Sequence, residues 1–336
     1  MKIIENTQIE NWDARKTDEP AIDPKFPIID PHHHLWDLRK VNPLGFRQEV
    51  YLCEQISDDI ANSGHNIIAT VFAQCGAFHR ADGPEEMRCV GETEFVNGVV
   101  AMSRSGLYGS TRLCDGLFVS ADLRLGPQVE EVLLAHQQAS ANFRGIRSSF
   151  PSELDENFLG GFQMLERHAL SYDNWSPDFG RLHRLGVLAN KFPGVTIVVN
   201  HLGGKVDPSA SEDEIAAWKN AIDAVAVCPN TVMKLGGVQM RVGDWEPPYH
   251  MHVSENPWQS DSLVDTLLPW YQYALEAFGP SRCMFESNFP VDKECVSYGV
   301  LWNVFKKIAN RLGLSETEKT DVFNATAART YRLESA

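Results

Sequence analysis

The chain of 336 residues reads as an α/β protein of the (β/α)8 TIM-barrel class. Eight short apolar or β-branched runs recur along it, amphipathic helical stripes separate them, and several runs end on histidine, arginine, lysine or carboxylate side chains. Eight parallel strands close such a barrel, and chemistry gathers at their carboxyl ends.

The strands are expected near Ile28 to His34, Ile67 to Cys75, Gly116 to Asp122, Phe143 to Ser149, Ala169 to Asn174, Val195 to Leu202, Thr231 to Val238 and Arg282 to Phe289. Among the connecting helices, Ser211 and Glu214 form a capping-box pair ahead of Ile215, Trp218, Ile222 and Val225 at helical spacing. Leu182, Leu185, Leu188 and Phe192 make a similar stripe, and Ser315 with Glu318 opens a last helix expected to pack outside the barrel. These stripes are core-facing and carry no functional weight.

Two stretches interrupt the rhythm. Phe78 to Gly91 follows the second strand, and Met240 to Ser260, rich in aromatics and prolines and including His250, reads as a lid over the strand ends. Residues 1–25 read as an N-terminal extension and 26–336 as a single barrel domain.

A net charge of -15 repels phosphate backbones and anionic headgroups, so neither nucleic acid nor membrane is expected as a partner. The first 25 residues lack the apolar core of a secretory signal, no run is long enough to span a bilayer, and a cytoplasmic location is the expectation. Seven cysteines occur singly with no C-x-x-C pair, which indicates buried thiols rather than a disulfide framework or zinc knuckle. The sequence is compatible with a homo-oligomer.

The segment Ile28-Ile29-Asp30-Pro31-His32-His33-His34 carries the most chemistry. Alternation along a strand puts His32 and His34 on one face and His33 on the other. His201 ends the run Val195 to Val199, and strand ends further supply Arg147, Tyr172, Lys234, Glu286 and Asn288. Arginine presents a planar fork suited to a carboxylate or a carbonyl, although a structural ion pair would use it equally well. Lys234 could neutralise an oxyanion or serve in an ion pair.

These motifs resemble the amidohydrolase-related proteins, in particular the lactonase-like branch with 2-pyrone-4,6-dicarboxylate hydrolase and the sugar lactonases. The resemblance spans roughly residues 26–333 and rests on Ile29 to Asp37, Phe143 to Arg147, Val198 to Gly203, Met233 to Gly237, Phe285 to Pro290, and Asn324-Ala325 with Tyr331. It implies an amidohydrolase-like barrel in which the histidines of strands one and six and an aspartate of strand eight surround the scissile bond. Relatives that bind metal use a lysine or glutamate on strand four. Here strand four offers Arg147, whose guanidinium is no metal ligand, so a two-metal centre is not expected. Asn288 stands where relatives carry the aspartate, and an amide cannot take a proton from water. Glu286, two residues earlier, is the expected substitute, with Asp292 a second candidate.

The leading expectation is a hydrolase that opens a lactone or ester of a small carboxylated substrate. His32, His34, His201, Glu286 and Asn288 would be catalytic, and Arg147, Tyr172, Lys234 and His250 would bind the substrate. One divalent metal, zinc by its ligand preference, could sit on His32, His34 and His201; catalysis without metal, with Glu286 deprotonating water, is the open alternative. Other readings are a metal-dependent non-oxidative decarboxylase and a ligand-binding homologue impaired in turnover.

Overall fold

The computed structural model describes residues 3–5, 19–148, 150–175, 178–204, 210–238, 252–254 and 257–333. Eight parallel strands run in order around one sheet: β1 (Pro27–His33), β2 (Asn66–Ala73), β3 (Arg112–Val119), β4 (Phe143–Arg147), β5 (Ser171–Asn174), β6 (Ile197–Val199), β7 (Thr231–Leu235) and β8 (Cys283–Phe285). Each connection carries a helix: α1 (Cys53–Ser63), α2 (Val90–Arg104), α3 (Val129–Ala139), α4 (Glu156–Arg167), α5 (Phe179–Lys191), α6 (Glu212–Ala226) and α7 (Ser260–Phe278), with α8 (Tyr298–Arg311) after β8. The expected eight-stranded (β/α)8 barrel is therefore the fold.

Helix boundaries follow local chemistry. Ser211 caps α6 by accepting from the Glu214 N–H while the Glu214 carboxylate returns to the Ser211 N–H. Trp218 of α6 is fully buried and donates its indole N–H to the Leu202 carbonyl at 2.9 Å, which fixes the chain just beyond β6.

Strand alternation divides the apolar residues into two bodies. Ile29, Val71, Phe118, Val198 and Met284 fill the barrel interior, while a larger shell lies between the sheet and the helices. Tyr331 joins the interior group: its ring stacks on Phe118 with centroids 5.7 Å apart. The helix that starts at Ser315, expected to lie outside, thus ends by plugging the barrel floor through its α-helical continuation at Thr326–Tyr331.

The seam between β8 and β1 is closed by side chains as much as by backbone. His33 and Phe289 form a single bridge, and the Asn288 N–H donates to the His32 carbonyl at 2.9 Å. Buried Asp30 accepts from the Ser287 N–H at 3.0 Å and from the Tyr298 hydroxyl at 2.8 Å. This carboxylate supplies acceptors where the β-ladder ends, and burial raises its pKa to about 6. Glu19, within the N-terminal extension, accepts from the Ser260 N–H at 2.9 Å. Among the described residues no helix is long and apolar enough to cross a membrane.

Candidate active site

β1 delivers its histidines as alternation requires. The His32 and His34 rings lie 5.0 Å apart in an edge-on arrangement, whereas His33 turns outward, its Nε2 2.8 Å from the Thr70 hydroxyl and its ring against Phe72. His34 Nδ1 is 2.9 Å from the Ala73 carbonyl, an acceptor that places the proton on Nδ1, and its ring stacks on Trp36.

His201 reaches the same place from the far side of the barrel, its ring centroid 4.6 Å from that of His32. β6 stops at Val199, and His201 takes a left-handed backbone angle, φ +54°. Glu286 receives it: Oε1 is 2.7 Å from His201 Nδ1 and accepts the His201 backbone N–H at 3.2 Å, while Oε2 is 2.9 Å from His32 Nδ1. Gly236 and Gly237 make this packing feasible. A methyl group on Gly236 would come within 2.3 Å of the Glu286 side chain, and one on Gly237, itself at φ +66°, within 2.7 Å of the His201 ring.

Beneath the histidines lies a buried ion pair. Lys234 Nζ is 3.0 Å from Asp173 Oδ1, donates to the Pro31 carbonyl at 2.9 Å, and sits 4.2 Å from the Phe118 ring centroid. Asp173 also accepts from the Tyr331 hydroxyl at 2.8 Å. Burial pushes Asp173 up and Lys234 down, each against the attraction of the other. Lys234 is fully buried in this floor, 3.3 Å from His32 Nδ1, and does not line the cavity above.

That cavity has a volume of about 440 Å³ and is walled by His34, His201, Arg147, Asn288 and a group of apolar side chains. Arg147 has no carboxylate within ion-pair distance among the described residues; its one hydrogen bond, Nη1 to the Gln74 carbonyl, is a long 3.4 Å. Desolvation lowers its pKa, yet a guanidinium stays charged, so Arg147 presents spare donors to the cavity. It also lines a second, polar cavity of about 670 Å³, which shares Gln74 and Ser148 with the first.

Not every expected residue converges. Tyr172 faces the helix layer, its ring 5.1 Å from Phe162 and its hydroxyl donating to the Ser148 carbonyl, because β5 alternation gives Asp173 the interior position. Strand parity would have excluded Tyr172 once Asp173 was assigned inward. His250 lies outside the described residues, as does most of the expected lid. Asn288 lines the cavity at φ +53° and donates its amide to Asp292 at 3.0 Å; Asp292 also accepts from the Val238 N–H. Glu286 faces the imidazoles and is absent from the cavity wall, contrary to the expectation of a carboxylate aimed at water. β8 ends at Phe285, so the period-two argument linking Glu286 to Asn288 fails there.

Burial, then the charges of Lys234 for His32 and Arg147 for His34, holds both imidazoles well below their ordinary pKa, so they are neutral at pH 7. Candidate ligand atoms of His32, His201 and Glu286 all lie within 4.8 Å of one another, and His32 Nε2 is buried with no hydrogen-bond partner among the described residues. This donor set fits one divalent ion, with Glu286 taking the part expected of His34.

The comparisons with known proteins agree with this architecture. Over 335 residues, covering 91% of this chain and 98% of the relative, it is 34% identical to the uncharacterized protein y4mH of Sinorhizobium fredii. It is 30% identical over 237 residues to the L-fucono-1,5-lactonase of Burkholderia multivorans, covering 66% of this chain and 74% of that one. A solved amidohydrolase from Burkholderia multivorans with bound zinc superposes with a TM-score of 0.69 at 22% identity, covering 92% of this chain and all of that one. With the amidohydrolase family model matching residues 29–333, nearly the whole barrel, the chain belongs to the amidohydrolase family.

Proposed function

We propose that this protein hydrolyses a lactone or related ester of a small carboxylated molecule. The observation that carries the reading is His201, paired with Glu286 at 2.7 Å behind it, on the wall of a cavity that also receives Arg147, which has no carboxylate partner among the described residues. The L-fucono-1,5-lactonase relative supports the reaction class.

Arg147 holds the substrate's carboxylate or carbonyl oxygen through its fork of donors. Glu286 keeps the His201 proton on Nδ1, so proton transfer falls to Nε2. His201 removes a proton from water as the water oxygen attacks the carbonyl carbon. Glu286 stabilises the imidazolium that results, in the manner of an orienting carboxylate. The Arg147 cation stabilises the tetrahedral oxyanion, and the imidazolium returns its proton to the departing alkoxide. The Lys234–Asp173 pair supports His32 from below and touches no substrate. A divalent ion would be held by His32, His201 and Glu286, and when bound would lower the pKa of a coordinated water toward neutrality.

The test is a panel of anionic and neutral lactones assayed by proton release, with and without added zinc, for wild type and Arg147→Met. Wild type is expected to open anionic lactones, and R147M to lower kcat/KM for them about 10–100-fold, the value of a charge-assisted pair at about 1.5–3 kcal/mol. Release of carbon dioxide from carboxylic acids, with no lactone opened under either condition, would replace this reading with the decarboxylase one.

A further inference from the structure

We infer that the substrate carries an apolar ring face, as an aryl- or alkyl-fused lactone with one anionic group does, and that polyhydroxylated sugar lactones are poor substrates. The inference rests on the lactonase reading and narrows it to a substrate class.

One side of the cavity is a built wall. The loop leaving β1 is pinned at its base by pairing of Trp36-Asp37 with Val50-Tyr51. Its tip is tied by Asn42, which donates to the Phe46 carbonyl at 2.8 Å and accepts the Phe46 N–H at 3.0 Å. Fully buried Glu294 then anchors the returning arm, accepting from the Arg47 side chain at 2.8 Å and from the Arg47 N–H at 2.9 Å. Held this way, Trp36, Leu38, Leu44 and Phe46 line the cavity, and the Trp36 and Phe46 rings pack 4.8 Å apart.

The polar atom in that wall is turned away. The Trp36 indole N–H donates to the Gln48 carbonyl at 2.7 Å, so the wall shows carbon to the cavity. A sugar lactone has hydroxyls around its ring, and those facing the wall would lose water without gaining a partner. An apolar ring would instead cover the aromatic surface while its anionic group reaches Arg147, the cation at the boundary between the two cavities. Hydrophobic pockets reject a hydroxylated counterpart by roughly 100-fold, which sets the expected scale.

Two measurements separate this inference from the reaction it rests on. Calorimetry on the wild-type protein compares 3-phenylpropanoate with gluconate, two carboxylates that cannot be hydrolysed; kinetics compares a carboxylated 3,4-dihydrocoumarin with D-glucaro-1,4-lactone, a sugar lactone that also carries one carboxylate. The apolar carboxylate is expected to bind, and the apolar lactone to turn over, about 100-fold better. Phe46→Ser and Leu44→Asn, each verified as folded by its melting curve, are expected to narrow both ratios about 10-fold. Equal or tighter binding of gluconate overturns the inference, as does a higher kcat/KM for the sugar lactone. A clear binding preference for 3-phenylpropanoate with neither lactone opened would sustain the cavity assignment and remove the lactonase reading.

Discussion

Replacing Glu286 with glutamine isolates the contact that defines the site. The side chain keeps its shape and stays buried, but one carboxylate oxygen becomes an amide donor. Oxygen is retained on the His201 side, where both Nδ1 and the backbone N–H approach the same atom, so the amide NH2 falls against His32 Nδ1, next to Lys234. Two losses follow. His32 is driven toward the tautomer with its proton on Nε2, and the imidazolium form of His201 loses the negative charge 2.7 Å away. A charge pair separated by about 4 Å at an effective dielectric constant near 20 is worth about 4 kcal/mol, which corresponds to ~10³-fold in rate. The assay is kcat and KM on the best lactone of the panel across pH 5.5 to 9. The expected result is a fall of about 10³-fold in kcat at nearly unchanged KM, because Glu286 does not face the substrate. Full turnover by E286Q would refute the assignment, and a loss confined to KM would move Glu286 into substrate binding.

Further outcomes follow from the same geometry. Gly237→Ala forces a methyl group to 2.7 Å from the His201 ring at a left-handed backbone angle. It is expected to cost about 1–3 kcal/mol of stability and to lower kcat at least about 10-fold, read by urea unfolding and steady-state kinetics; a variant unchanged in both would show that the glycine is not what lets His201 approach. His33, facing outward and buried, has its pKa lowered from 6.5 to about 3. The unfolded chain therefore binds a proton near pH 6.5 that the folded chain refuses, so this contribution to stability is complete above pH 6.5 and lost as pH falls toward 3. Unfolding of wild type and His33→Gln, compared between pH 6.5 and 4.5, should show wild type losing about 2 kcal/mol more than the variant. Parallel profiles would mean that His33 does not resist protonation.

Much of this protein is visible in the order of its residues. The eight βα units, the shared face of His32 and His34, and the capping pair that starts α6 all follow from periods of 2 and 3.6 and from hydrogen bonds between near neighbours. Arg147 on β4 already argued against a strand-four metal ligand. Such features depend on short stretches of chain, where spacing dictates direction.

Orientation beyond the strand ends is a different matter. β6 stops at Val199 and β8 at Phe285, and His201, Leu202 and Asn288 then adopt positive φ, so alternation no longer says where a side chain points. Glu286 turns to two imidazoles from two other segments of the chain, Lys234 to an aspartate 61 residues away, and Tyr331 inward from the final helix to the barrel floor. The sequence alone determined the eight βα units and the common face of His32 and His34. Only tertiary structure decided which carboxylate serves which cation, because a buried charge takes the partner that packing brings within about 3 Å, however distant along the chain.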